Sequence, residues 1–398
     1  MSRSFKYYLG VALAIVLPII VYIILPGTDA IPSAIKVVLI TIIYLLMSQN
    51  RLVANNLQDK GFIFMLLIIV FGILHAILEN NMNRQNVSLL IMNTISWLMV
   101  LIVNMVKDVH SVGNFVKAYI LVLIPTAFFS GLYWDGFLTF DVPHILSQLA
   151  LCLLISPFFS KKIQIVLLIS MAAGVIYDYS VRTCLLTTIV SFALYFGYIF
   201  IFKKLYQKIA RIARIGFYIA PIVFVVLGVS GKYNIFADFS TWDMSDVSLS
   251  NGRKSESHTF NVDSRTGVYY DVILNTDGAK DILIGHGAII NIESLWTDTR
   301  HSVEAGMLNI FLRYGLIGCI VIFLLFWRAS QQAMFHSNNR LTMMAALFLA
   351  YKFLLSFIGD PNIDPAVYIA LGICFNRDIR LMSDKQIKEE LSRVRLLF

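Results

Sequence analysis

Apolar residues run along this chain in long stretches joined by short polar connections, and the pattern breaks once, over residues 232–303. A bilayer's hydrocarbon core takes about 20 apolar residues of helix to cross. By that measure the stretches predict about twelve helices, at 7–25, 33–48, 61–79, 87–106, 114–133, 142–158, 163–177, 183–202, 216–231, 304–327, 341–358 and 363–376. A transmembrane barrel would instead show short segments of alternating polarity. The expected fold class is therefore an all-α polytopic membrane protein. Nine helices fill residues 1–231, a large polar loop spans 232–303, three helices fill 304–376, and 377–398 forms a polar tail.

Composition agrees with the pattern. Of the 398 residues, 58% are hydrophobic and only 14% charged, and the mean hydropathy is +0.75. Soluble domains carry about a quarter charged residues. A net charge of +8 would suggest nucleic acid in a soluble protein, but here its distribution gives a different cause. Alternating the connections between two sides places Arg3, Lys6, Arg51, Lys60, Lys107, Lys161 and Lys162 together. The same side takes Lys203, Lys204, Lys208, Arg211, Arg214, Arg328, Arg340 and the tail from Arg377 to Arg395. The short loops opposite carry only Arg84 and Arg182. Lys and Arg accumulate in short cytoplasmic loops, so both termini and a basic linker at 203–214 are expected in the cytoplasm. The linker is expected to touch anionic lipid head groups. The loop 232–303 is then expected to face outward, into the periplasm of a double-membraned bacterium or the cell exterior otherwise. No nucleic-acid partner is expected.

The four cysteines lie in apolar runs and none in the large loop, which predicts neither a disulfide framework nor a zinc site. Within the loop, 238–265 is polar and irregular. Residues 266–274 place apolar positions at helical spacing and predict an amphipathic surface helix. Gly285-His286-Gly287 reads as a turn, and a short helix is expected to carry Glu293–Trp296 toward His301. The loop has no Asp-x-Asp pair, the usual minimal arrangement for a divalent ion on a sugar diphosphate, so no metal and no cofactor is expected.

Three stretches resemble the O-antigen polymerase and O-antigen ligase family. They are Ser264-Arg265-Thr-Gly-Val-Tyr-Tyr-Asp-Val-Ile273, Ile282-Leu-Ile-Gly-His-Gly287, and His301 through Gly318 with its Gly-Leu-Ile-Gly. Ser180-Val-Arg182-Thr-Cys-Leu-Leu186 adds a fourth element, at an outward helix start. The similarity covers roughly 165–330. The chain departs from the family pattern at Ser302, where Asn is usual, and at Val181, which separates Ser180 from Arg182. Side-chain roles at those two places are not carried over.

The resemblance implies a GT-C-like glycosyltransferase that moves a glycan from a polyprenyl pyrophosphate to an acceptor hydroxyl at the outer face. Its partners would be lipid-linked oligosaccharides, membrane lipids and a chain-length regulator. Guanidinium groups bind phosphate in a fork and stay charged at any relevant pH, which suits Arg182 and Arg265 to the leaving pyrophosphate. An imidazole titrates near pH ~6.5, which suits His301 as general base for the acceptor. Tyr269, Tyr270 and Trp296 are candidates to stack on sugar faces, and Arg313 is a further substrate-binding candidate. Bland readings stand beside these. Arg182 at a span boundary can snorkel, Arg265 can be a solvated charge, and interfacial aromatics are common without a role. Arg313 can snorkel or pair with Glu304. Polymerase, ligase and, as a non-enzyme, a polysaccharide flippase all remain open, with polymerase preferred.

Overall fold

The computed structural model describes residues 3–24, 105–132, 141–178, 182–201, 203–229, 271–290, 306–357 and 365–394, with isolated positions between 67 and 103 and at 292. Among these residues the fold is helical, without a strand. The helices are α1 (Arg3–Ile24), α2 (Val109–Leu132), α3 (Asp141–Ser147), α4 (Ala150–Ile155), α5 (Lys161–Tyr177), α6 (Arg182–Phe200) and α7 (Lys203–Val229). They continue with α8 (Gly278–Leu283), α9 (Gly306–Phe335), α10 (Arg340–Leu355), α11 (Pro365–Phe375), α12 (Arg377–Leu381) and α13 (Asp384–Arg393). Stretches within α2, α6 and α9 are each long and apolar enough to cross a membrane. The expected spans at 33–48, and most of 61–79 and 87–106, lie outside the described residues, as does the loop from 232 to 270.

Helix α6 shows how the bundle is solvated. Cys184, Thr187, Thr188, Ser191 and Tyr195 are buried, at spacings of three and four, so they share one face. Leu186, Ile189, Phe196, Ile199 and Phe200 are exposed. Polar groups pointing inward and apolar groups outward reverse the arrangement of a helix in water, and suit a helix surrounded by hydrocarbon. The inward groups find partners: Ser191 Oγ lies 3.2 Å from the Tyr351 hydroxyl of α10, and the Tyr195 hydroxyl donates to Gln164 Oε1 of α5 at 2.8 Å.

Three sequence expectations change in detail. The apolar helix expected at 142–158 is present but is divided into α3, α4 and a 3₁₀ turn at Ser156–Phe158. The basic stretch 203–214 is not a linker: it is the first half of the 27-residue α7. Nothing in it breaks a helix, since it holds neither Gly nor Pro. It also carries a buried face at Tyr206, Ala210, Arg214 and Tyr218, each four residues apart. Arg214, grouped with head-group contacts on charge alone, is 1% exposed. Its Nε donates to Ser330 Oγ at 3.0 Å, and its guanidinium carbon lies 4.1 Å from the Trp327 ring centroid. A desolvated cation over an aromatic face gains about 2 kcal/mol, so this charge fastens α7 to α9 instead of facing lipid.

The tail, third, is folded back onto the bundle. Asn339 caps α10 by accepting from Thr342 N at 2.9 Å, and its amide donates to the carbonyls of Ile379 and Met382 at 2.7 and 3.0 Å. Asp384 accepts from Arg340 Nε at 3.1 Å, and Glu390 reaches His110 at 2.7 Å. Asn376 donates to the carbonyls of Val106 and Lys107. One end of the bundle therefore collects Lys107, Arg340 and the α12–α13 segment, all on the side to which the loop pattern assigns positive charge.

Asn339→Ala removes a helix cap and leaves the carbonyls of Ile379 and Met382 short of a donor. It should lower stability by about 2 kcal/mol, read as a drop in the melting temperature of the detergent-solubilised protein. Limited proteolysis should then cut first within residues 377–394.

Candidate functional site

At the end of the bundle opposite this cationic cluster, α9 is broken. Its 30 residues would extend about 45 Å, well beyond the roughly 30 Å of hydrocarbon. Gly315 adopts φ 61° and ψ −162°, a backbone region essentially reserved for glycine. Beyond it, Leu316–Phe335 is long enough to span by itself, with Leu316, Ile317, Ile320 and Leu324 exposed on its apolar face. Before it, Gly306–Tyr314 is buried nearly all round.

An unbroken helix would bond the carbonyls of Leu312 and Arg313 to amides four residues on. Here His286 N donates to the Leu312 carbonyl and Gly287 N to the Arg313 carbonyl, both at 2.8 Å. The Gly-His-Gly turn read from sequence is present, with positive φ at Gly285 and Gly287, and the break in α9 is its docking place. The approach is close. A Cβ on Gly285 would fall 2.5 Å from the Arg313 carbonyl carbon, and one on Gly315 would collide with the Leu283 carbonyl. A Cβ on Gly287 would strike the ring of His75.

The rest of the loop's described portion packs behind this turn. Val272, Ile290 and Ile292 form a small apolar cluster with Leu308 and Leu312. His286 Nε2 lies 2.6 Å from the Asn275 carbonyl, and Asp271 is buried. Of the expected amphipathic helix, 271–274 is described and helical; α8 was not anticipated. Arg313 sits beneath the docked turn and is 7% exposed.

A second group of polar side chains lies at the same end of the bundle, on α3, α6 and α10 and just past α5. Arg182 opens α6, and two residues on, Cys184 Sγ lies 3.4 Å from His144 Nδ1. The same thiol donates to Ser147 Oγ at 3.7 Å, and Ser147 Oγ donates to the His144 carbonyl at 2.9 Å. Lys352, near the end of α10, and Asp178, just past α5, both act electrostatically on His144 and Cys184. The start of α9 meets the same end: Met307 N donates to the Ser356 carbonyl at 2.8 Å. His144 and Cys184 escaped the sequence reading. The available signal was a histidine inside an apolar run, since an ionisable group there points to function by default. Lys352 carries the same signal.

Of the residues the sequence singles out, Arg313 is placed beneath the turn and the backbone of Arg182 at the head of α6. Arg265, Tyr269, Tyr270, Trp296 and His301 lie outside the described residues. Among the described residues, no group of three His, Cys, Asp or Glu side chains converges as a metal site would. The arrangement combines a loop segment fixed to a broken span with His144, Cys184 and Lys352 side chains at the same end.

Gly315→Ala should cost roughly 3 kcal/mol or more, because the added methyl meets the Leu283 backbone at a φ/ψ that alanine avoids. Thermal melts should drop sharply and residues 271–292 should become protease-sensitive. Gly216→Ala, at a position inside α7 with nothing within 4 Å of the new methyl, should hold the melt at or slightly above the wild-type value, since alanine is the better helix former.

Compared with protein-family models, curated proteins and solved structures, the chain matches none.

Proposed function

We propose that this chain is a membrane glycosyltransferase that polymerises lipid-linked oligosaccharide units at the outer face of a bacterial inner membrane. The observation that carries the reading is the docking of the loop segment 271–292 onto the break at Gly315, with Arg313 buried below. A loop needed only to connect two spans has no cause to replace the backbone bonds of a helix. A loop that must hold reacting groups at the membrane boundary does. This segment lies between the two family-like positions Arg265 and His301 in sequence, so fixing it restricts both.

In this reading the cationic end of the bundle faces the cytoplasm and the broken end of α9 faces outward. The donor is a growing glycan on polyprenyl pyrophosphate. An acceptor hydroxyl on the next lipid-linked unit attacks the anomeric carbon as the bond to pyrophosphate oxygen breaks. The bonding electrons leave with the pyrophosphate. Arg182 and Arg265 hold its phosphates, with Arg313 adding positive charge from beneath. Stabilising charge that develops during bond cleavage is commonly the largest catalytic contribution. His301 takes the hydroxyl proton, and attack opposite the leaving group inverts the anomeric centre. Tyr269, Tyr270 and Trp296 stack on sugar rings. The carrier lipids approach from the bilayer, and a chain-length regulator is the expected protein partner.

General-base assistance contributes about 10²–10⁴-fold, so His301→Ala should abolish visible long chains when it replaces the wild-type gene, read on a gel of surface polysaccharide. Arg182→Ala should do the same. Anchored single units without longer chains indicate polymerisation as the lost step. Polymer stranded on its carrier lipid would instead indicate transfer to a different acceptor, the ligase reaction. Units trapped on the cytoplasmic leaflet would indicate transport. A normal ladder from His301→Ala would overturn the base assignment.

A further inference from the structure

The outward site leaves unused a groove at the opposite, cationic end. It has a volume of about 490 Å³ and lies between α5 and α6, closed below by the start of α10 and by α13. Its polar lining is Lys161, Gln164, Tyr195, Tyr198, Arg340 and Lys388. Three cations from three separate parts of the chain thus face one space. Asp384 engages Arg340 at 3.1 Å, and Arg340 also lies over the Tyr198 ring at 4.5 Å. Lys161 and Lys388 are exposed, and neither pairs with a carboxylate among the described residues. Positive charge in the groove therefore exceeds negative.

The groove's other walls are apolar. Ile165, Leu168 and Ile199 line it. Ile165 and Ile199 belong to exposed apolar strips that run on along α5 through Ile169 and along α6 through Phe196. A soluble anion would use the cations and leave these strips bare. A lipid with an anionic head group would use both. The cations lie at the end that the charge asymmetry gives to the cytoplasm, where the leaflet carries anionic lipid and each nearby Lys or Arg adds to the attraction.

We propose that this groove binds the phosphate of an anionic phospholipid of the cytoplasmic leaflet, with its acyl chains lying along the exposed apolar faces of α5 and α6. Lys161 and Lys388 supply the mobile charges and Arg340, fixed by Asp384 and Tyr198, the rigid one. The Gln164 side chain is held in place by the Tyr195 hydroxyl and by donating its amide to the Phe159 carbonyl at 3.1 Å. A lipid seated here bridges α5, α6, α10 and the C-terminal helix α13.

The test is native mass spectrometry of the full-length protein in detergent, titrated with phosphatidylglycerol or phosphatidylcholine. The wild type should retain phosphatidylglycerol in preference. Lys161→Gln with Lys388→Gln should weaken that retention about tenfold. Lys162→Gln with Lys385→Gln changes total charge equally but removes no groove residue, and should leave retention near the wild-type value. All proteins should share one melting temperature without lipid, as the four lysines are exposed. Equal weakening in both double variants would reduce the effect to general surface charge and overturn the site. Unchanged retention in the groove variant would overturn it as well. Displacement of the lipid by millimolar inorganic phosphate would assign the groove to a soluble anion instead.

Discussion

Two amides donated sideways, from His286 and Gly287 to the carbonyls of Leu312 and Arg313, hold the loop-bearing end of this molecule in place. Away from water an unpaired backbone carbonyl costs about 1–3 kcal/mol, so a span can break only where something else supplies the missing donors. The loop supplies them. The dependence runs both ways, because the turn can approach closely enough only while Gly285 and Gly315 both lack side chains. Loop placement and helix geometry are thus a single constraint, and Arg313 is buried at its centre.

The same rule, that polar groups in an apolar setting must find partners, orders the rest of the bundle. Helix α6 turns its hydroxyls and thiol inward, toward Gln164, Tyr351 and His144. Arg214 is taken up by Ser330 and an aromatic surround. The two ends then differ in kind. One is cationic and tied together by Asn339, Asn376 and Asp384. The other combines a broken span, a docked loop and the cluster of His144, Cys184 and Lys352.

Parts of this arrangement could be read directly from residue order. The Gly285–Gly287 turn was legible because two glycines flanking one residue demand a tight bend, and the helices around 109–132 and 182–200 because apolar length suffices. The inward turn of Arg214 was not legible: a charge at the end of a basic stretch looks solvated until Trp327 and Ser330, more than a hundred residues away, come beside it. The pairing of Cys184 with His144 was hidden for the same reason, since neither residue has a local pattern that names the other. The break at Gly315 was hidden too, because one glycine inside a long apolar run ordinarily stays helical at a modest cost.

Sequence by itself determined that the chain is helical and apolar, where most of the long helices among the described residues lie, and which connections carry positive charge. Those properties depend on composition and spacing within a turn or two, so they need no knowledge of distant partners. Only tertiary structure decided that α7 absorbs the basic stretch, that the tail clamps onto α10, and that the loop completes a broken span. Each of these satisfies a buried polar group with a partner far along the chain, and the identity of such a partner is set by packing.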